Sequence, residues 1–511
     1  MVVTGSSPSP AVPVRRRTLV AAVVGAVLAG LLGWLVAPVP STPGPATSGD
    51  PALAERLRSV AGPGQYGLVA AVVTGGEPTV AAIGDGGRGT PLSATTPMEI
   101  GSVTKTITGT VLADLERRGE VRADERVRDL VPDRDWRPGG AGDVTLAELA
   151  SHRSGLPVQA GGWRMLAHNL ANTYLGTAPA SHTPEQVFDN AEAAEISGRG
   201  EERYSNLGVA LLGQALAERT GTPYPELVEQ VVTGPLGMTA TGIPAAPPSG
   251  AAVGHDERGR AESAWISPGD SPAGIGVYST VTDLARYAVA VTDPGSPVAD
   301  AARPRFPSEF GRIGYGWNVL DVGGHELIWK NGASGGTSSS VLVEPATGRA
   351  AVVIGNSFAG VDRIAAELLG VPSPFEARTG EPSGPDVRSM VGSAVGALLP
   401  IWGGLTVLVA ARGGWLRGGP ARRSDVVAQA ATGLLLILGG WLVGAVSWTQ
   451  LPFWLLGCGL AGAGLGVATA RWRDRGPDAG PGATARWVSA GVFVVVTVAA
   501  VGVVVVTGLP G

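Results

Sequence analysis

Apolar residues fall along this chain in two regimes. Behind Arg15-Arg16-Arg17, the stretch from Thr18 to Ala37 carries no charge over about twenty residues, long enough to span a bilayer. Four more apolar runs close the chain, at about 389–411, 426–447, 452–470 and 487–508. The middle alternates. Pro51 to Val60 predicts a short helix, and Tyr66–Val73 and Thr79–Ile83 predict strands joined by Gly75-Gly76. From Ser102 to Arg118 the wealth of Val, Thr and Ile leans towards a strand. Periodicity overrides that leaning: Val103, Ile107, Val111 and Leu115 recur every fourth residue and Gly119 follows as a stop, so a helix is expected. Mixed helical and loop segments continue to about residue 245. Strands resume at Ile313–Val322, Glu326–Lys330, Ser338–Val343 and Ala350–Ile354, before a helix at Val361–Leu369. Strands at both ends of a helical middle predict an α/β fold, a sheet with an inserted helical lobe and the active site between them.

The organisation that follows has six parts. Residues 1–17 form a basic N-terminus, 18–37 an anchor and 38–50 a Pro- and Ser-containing linker. A globular domain occupies 51–370, a second linker 371–388, and four apolar helices 389–511. The long core of 18–37 and the poor exit Leu35-Val36-Ala37-Pro38 favour an uncleaved anchor over a signal peptide. Arg412, Arg417, Arg422 and Arg423 lie between the first two C-terminal runs, and Arg471, Arg473, Arg475 and Arg486 between the last two. With Arg15–Arg17 inside, this alternation gives five spans and places the globular domain outside the cytoplasm. No span carries a charge in its interior, which argues against ion transport. Gly462 and Gly466 form a GxxxG, weak as a packing signal in a chain with 78 glycines.

Composition removes several function classes. A net charge of −5 with scattered arginines leaves no basic face for nucleic acid. Cys458 is the sole cysteine, so no intrachain disulfide forms. His152, His168, His182, His255 and His325 show no metal-ligand spacing, and neither a metal nor another cofactor is implied. One imbalance is informative: of 38 basic residues only Lys105 and Lys330 are lysine. Arginine does not give up its proton at neutral pH, whereas a buried lysine can. Two retained amines suggest two sites where an amine is required.

Ser102 and Lys105 are three apart, on one face of the expected helix, with Ser102 at its N-terminus where developing negative charge is favoured. Glu99-Ile100-Gly101-Ser102-Val103-Thr104-Lys105 resembles the first motif of class C β-lactamases and related penicillin-binding serine hydrolases. Ser151-His152-Arg153-Ser154-Gly155-Leu156-Pro157, Tyr204-Ser205-Asn206, Pro235-Leu236-Gly237-Met238 and Lys330-Asn331-Gly332 resemble that family's later landmarks, in the same order. The resemblance covers about residues 52–370 and implies the β-lactamase-like antiparallel sheet flanked by helices.

In such a site Ser102 Oγ is the nucleophile and a neighbouring base takes its proton. Lys105 and Tyr204 are both candidates for that base. The resemblance implies that Tyr204 shares a proton network with both lysines and activates the hydrolytic water, and that Asn206 holds Lys105 and a substrate carbonyl. It also implies that Lys330 lowers the tyrosine pKa and attracts a substrate carboxylate. Gly332 admits the substrate backbone, and the N–H groups of Ala333 and Ser102 form the oxyanion hole. His152 reads as structural. Where the family often has Lys-Thr-Gly, this chain has Asn331, which weakens the case for β-lactam or D-Ala carboxylate recognition. The sequence therefore points to a membrane-anchored serine hydrolase acting on a β-lactam, a D-amino-acid peptide or a small ester. A catalytically weak binding or sensor module coupled to membrane helices is the alternative.

Overall fold

The computed structural model describes residues 11–37, 40–159, 180–372, 387–412, 422–443, 451–475 and 482–508. The residues before 11, His168 and most of the expected linker 371–388 lie outside them. The described residues divide into two compact units, one of residues 41–372 and one of the apolar helices from both ends of the chain.

The first unit is built on a nine-stranded antiparallel sheet. Its strands are β1 (Thr47–Gly49), β2 (Gly67–Thr74), β3 (Glu77–Gly84), β6 (Phe306–Ser308), β7 (Gly311–Ile313), β8 (Asn318–Val322), β9 (His325–Ser334), β10 (Thr337–Glu344) and β11 (Arg349–Gly355). They lie in the order β1-β3-β2-β11-β10-β9-β8-β7-β6, and β4 (Met98–Glu99) pairs separately with β5 (Tyr278–Ser279). Strands β2 and β11 read as nearly continuous apolar runs because both faces are covered. Leu68, Ala70, Leu342 and Val353 pack with Leu57 and Ile364 of the helices Pro51–Val60 and Asp362–Leu369. Their neighbours Val69, Ala71, Val341 and Val352 join the larger core on the opposite face, with Ile107, Val111 and Leu284. The helical lobe, including Pro184–Ala193 and Asn206–Thr220, enters the chain between β4 and β5.

Three local outcomes depart from expectation for physical reasons. Thr47–Gly49 lies in the segment expected as a linker, yet its backbone pairs with Ala81–Ile83 and becomes the edge of the sheet. The single strand expected over Ile313–Val322 is broken by Gly314–Trp317, where Gly316 takes φ +75° and Tyr315 and Trp317 turn into the core. Strand β9 runs on past Lys330 to Ser334, and that extension carries the site.

In the second unit, Arg16–Leu35, Arg423–Trp441 and Leu451–Ala470 are long and apolar enough, by length and composition, to cross a membrane. The helices Val387–Arg412 and Ala483–Gly508 carry the shorter apolar stretches Gly396–Arg412 and Ala483–Val498 among the described residues, so three of the five expected spans meet that measure. The first helix, Ala11–Leu35, packs on Leu451–Ala470 through small residues. A Cβ on Gly462 would stand 2.1 Å from the Gly25 carbonyl oxygen and one on Gly466 2.0 Å from that of Ala21, so the GxxxG is a helix contact after all. Trp454 Nε1 donates to the Gly33 carbonyl at 2.9 Å in the same contact.

Candidate active site

The nucleophile segment begins with Glu99 and ends in a helix. Gly101–Val103 forms a single 3₁₀ turn that runs into the helix Thr104–Arg117. Thr106, Thr108 and Thr110, three of the helix's four threonines, sit inside it despite their strand preference, and each of these buried hydroxyls finds a partner. Thr106 Oγ1 donates to the Val103 carbonyl, Thr108 Oγ1 to that of Pro272, and Thr110 Oγ1 pairs with Tyr287 Oη at 2.9 Å. One turn separates Ser102 from Lys105, and Lys105 Nζ reaches Ser102 Oγ at 2.8 Å. The amine also donates to the carbonyl of Ala273 and is 1% exposed. Burial drives its pKa down to about 7, against the opposing pull of the Asp270 carboxylate.

Tyr204 arrives from the lobe. Ser205 caps the helix Asn206–Thr220 by accepting from Gly208 N–H at 2.8 Å, and its hydroxyl donates to the Pro157 carbonyl at 2.7 Å. This double tie fixes the residue before it, and Tyr204 Oη lies 2.7 Å from Ser102 Oγ. The tyrosine ring leans on His152, with ring centroids 4.5 Å apart, and His152 Nδ1 accepts from Ser205 N–H at 3.3 Å. Burial, then the charges of Lys105 and Lys330, push the His152 pKa well down, so the ring is a neutral wedge behind the tyrosine.

The other wall comes from β9. Lys330 is 5% exposed, its Nζ 5.8 Å from the centre of the Tyr204 ring; burial and the Lys105 charge lower its pKa, while Tyr204 and Asp362 oppose the shift. A Cβ on Gly332 would stand 2.2 Å from the Ile100 carbonyl and 2.7 Å from Ser102 N, and one on Gly101 2.6 Å from Ala333 N. Only glycine at both positions lets the two backbones meet, and the Ser102 and Ala333 N–H groups flank that junction. Side chains stitch it from beneath. Ser339 Oγ donates to the Ile100 carbonyl and Thr337 Oγ1 to that of Glu99, while the buried Glu99 carboxylate accepts from Ser334 Oγ, Trp265 N–H and Tyr278 Oη.

Ser102, Lys105, Tyr204 and Lys330 thus converge as the sequence predicts. Ser102, Tyr204 and Lys330 line one cleft of about 280 Å³ with Asn331, Gly332 and Ala333. Asn206 departs from expectation: among the described residues its side chain makes no hydrogen bond to Lys105. Asn206 opens a helix already capped by Ser205, and the amine takes Ser102 and Ala273 as its acceptors instead. Asp270, Ala273 and Asp362 are contributors that sequence reasoning missed. Asp362 lines the cleft and bonds Asn331, yet nothing sets it apart in a chain with 43 acidic residues.

Residues 57–370 match the family model described as Beta-lactamase. The chain is 28% identical over 233 residues to the D-alanyl-D-alanine-carboxypeptidase/endopeptidase AmpH of Escherichia coli (strain K12), covering 44% of this chain and 57% of that protein. It is 28% identical over 258 residues to Esterase EstB of Burkholderia gladioli, covering 43% of this chain and 64% of the esterase. The chain therefore spans less than two thirds of these relatives' lengths. Among solved structures, its fold is similar to a class C beta lactamase from Rhodobacter sphaeroides, at 20% identity and TM-score 0.51 over 62% of this chain and 95% of that one. A D-stereospecific amidohydrolase from Streptomyces sp. gives 24% identity and TM-score 0.51 over 60% and 95%. A family match across more than half of its length, on a sheet and lobe of the same architecture, makes this chain a member of the Beta-lactamase family of serine hydrolases.

Proposed function

We propose that this protein is a membrane-anchored serine hydrolase that cleaves a small amide or ester outside the cytoplasm through an acyl-Ser102 intermediate. The observation that carries the reading is the meeting of Lys105 Nζ and Tyr204 Oη on one serine oxygen, at 2.8 and 2.7 Å. With a pKa of about 7, the Lys105 amine is neutral in a large fraction of molecules at neutral pH. It takes the Ser102 proton as Oγ bonds to the substrate carbonyl carbon. The negative charge moves to the carbonyl oxygen, which the Ser102 and Ala333 N–H groups stabilise. As the tetrahedral intermediate collapses, the leaving amine or alcohol takes the proton and departs. Water then passes a proton through the Tyr204 hydroxyl to Lys105, neutral again, and attacks the acyl carbon; collapse breaks the acyl–Oγ bond and the proton returns to Ser102 Oγ.

The named activities of the relatives, a D-alanyl-D-alanine-carboxypeptidase/endopeptidase and an esterase, support amides and esters as the substrate classes. The seat of Gly25 against Gly462 supports an anchor helix that stays with the protein. Arginines flanking alternate ends of the apolar runs support an extracytoplasmic site. The test is to incubate the full-length protein with a fluorescent β-lactam and with nitrophenyl esters. Turnover or covalent label lost in Ser102→Ala, with the melting curve retained, is the expected result. A label that persists without turnover would instead favour a binding or sensor module.

A further inference from the structure

Strand β9 presents Trp329 and Asn331 on the face opposite Lys330, as a pleated strand requires. On the neighbouring β10 the register partner of Asn331 is Ser340. These three side chains converge on one carboxylate, that of Asp362 at the start of the helix Asp362–Leu369. Asp362 Oδ1 accepts from Trp329 Nε1 at 2.9 Å and from Ser340 Oγ at 2.7 Å, and Oδ2 accepts from Asn331 Nδ2 at 3.2 Å. The Asn331 carbonyl in turn accepts from Lys330 Nζ at 3.3 Å. Asn331 therefore has its acceptor and one of its two amide hydrogens committed within the protein. The Lys330 charge is opposed locally by the Asp362 carboxylate, which shares the lining of the cleft with Ser102.

Burial raises the Asp362 pKa, while the hydrogen bonds from Ser340, Trp329 and Asn331 and the Lys330 charge favour its ionised form. A substrate carboxylate entering this wall meets that carboxylate, an asparagine already engaged and a lysine whose charge is offset. We infer that Asp362 is a specificity-determining residue that turns the cleft away from substrates bearing a free carboxylate beside the scissile bond, and towards neutral esters and amides. The inference rests on the hydrolase reading above and names its substrate class. Discrimination of this kind works through repulsion of the wrong partner, not through a new contact to the right one.

The test uses a matched pair: the thioester of N-acetyl-D-alanine with thioglycolic acid, and the same thioester with the carboxylate replaced by a carboxamide. Hydrolysis of either releases a thiol that a chromogenic thiol reagent reads. With the full-length protein in detergent, kcat/KM for the carboxamide is expected to exceed that for the carboxylate by about tenfold or more, since juxtaposed like charges are costly. Asp362→Asn, of the same size and neutral, is expected to narrow that ratio by raising kcat/KM for the carboxylate. Wild-type protein that hydrolyses the carboxylate as well as the carboxamide overturns the inference and leaves the hydrolase intact, and needs no variant to fold. An unchanged ratio in a folded Asp362→Asn does the same. Failure to hydrolyse either thioester, with Ser102 also unlabelled by the β-lactam and the esters, overturns both readings.

Discussion

A lysine amine serves as a base only where water is kept from it, and Lys105 meets that condition with two acceptors and almost no exposed surface. Its lowered pKa, about 7, gives the site a definite pH response. Below that pH the amine is protonated in the free enzyme and Ser102 has no base; above it the amine is free. The acid limb of kcat/KM is therefore expected to rise about tenfold per pH unit and bend near 7. Asp270 holds the value up, so Asp270→Asn should move the bend to lower pH without abolishing turnover, as a pH–rate profile over pH 5 to 9 would reveal. An unmoved bend would assign it to another group. The two amines were legible in the sequence because lysine is nearly absent from it. Asp270 and Asp362 were not, because an aspartate signals chemistry only once its neighbours are known, and these neighbours are distant in the chain.

At the scale of elements, the site depends on how closely two backbones approach. The 3₁₀ turn Gly101–Val103 and the end of β9 are joined by side-chain hydroxyls from β10, and glycine at positions 101 and 332 removes the atoms that would hold them apart. Gly332→Ala is expected to push the strand off the turn, since the new Cβ would fall 2.2 Å from the Ile100 carbonyl oxygen. The acylation rate should drop by about 10²–10³, the cost of losing one oxyanion donor, while Ser102 remains in place. Single-turnover acylation beside a melting curve separates this from simple unfolding; a folded variant that acylates normally would remove the oxyanion role from this junction. The sequence announces the helix through its four-residue spacing, even though threonine favours strands, because packing outweighs propensity once a helix is buried on most sides. It gave no notice of β1, whose Thr47–Gly49 is polar and short. Edge strands of that kind are held by the backbone of their neighbour and leave little hydrophobic pattern to read.

At the scale of the whole molecule, hydropathy marked the apolar ends but not how they pack. Gly25, Gly462 and Gly466 are three among 78 glycines, and only the close approach of two helices singles them out. The proposed topology makes a sharp demand on two surfaces. Glu77, exposed at the start of β3 beside the Gly75-Gly76 turn, belongs to the unit proposed to face outwards, whereas Asp474 lies among Arg471, Arg473 and Arg475 at the end proposed to face the cytoplasm. Cys458 is the only native thiol, so Cys458→Ala gives a thiol-free background in which a single cysteine reports its side. In right-side-out membrane vesicles, a membrane-impermeant maleimide is expected to label Glu77→Cys and spare Asp474→Cys; inverted vesicles should give the reverse. Keeping both arginine-rich loops intact matters, because their charges set the orientation under test. If both positions label in the same vesicles, the apolar helices do not separate them across a bilayer. If the pattern is inverted, the catalytic unit faces the cytoplasm, and extracellular peptides and β-lactams drop out as its substrates.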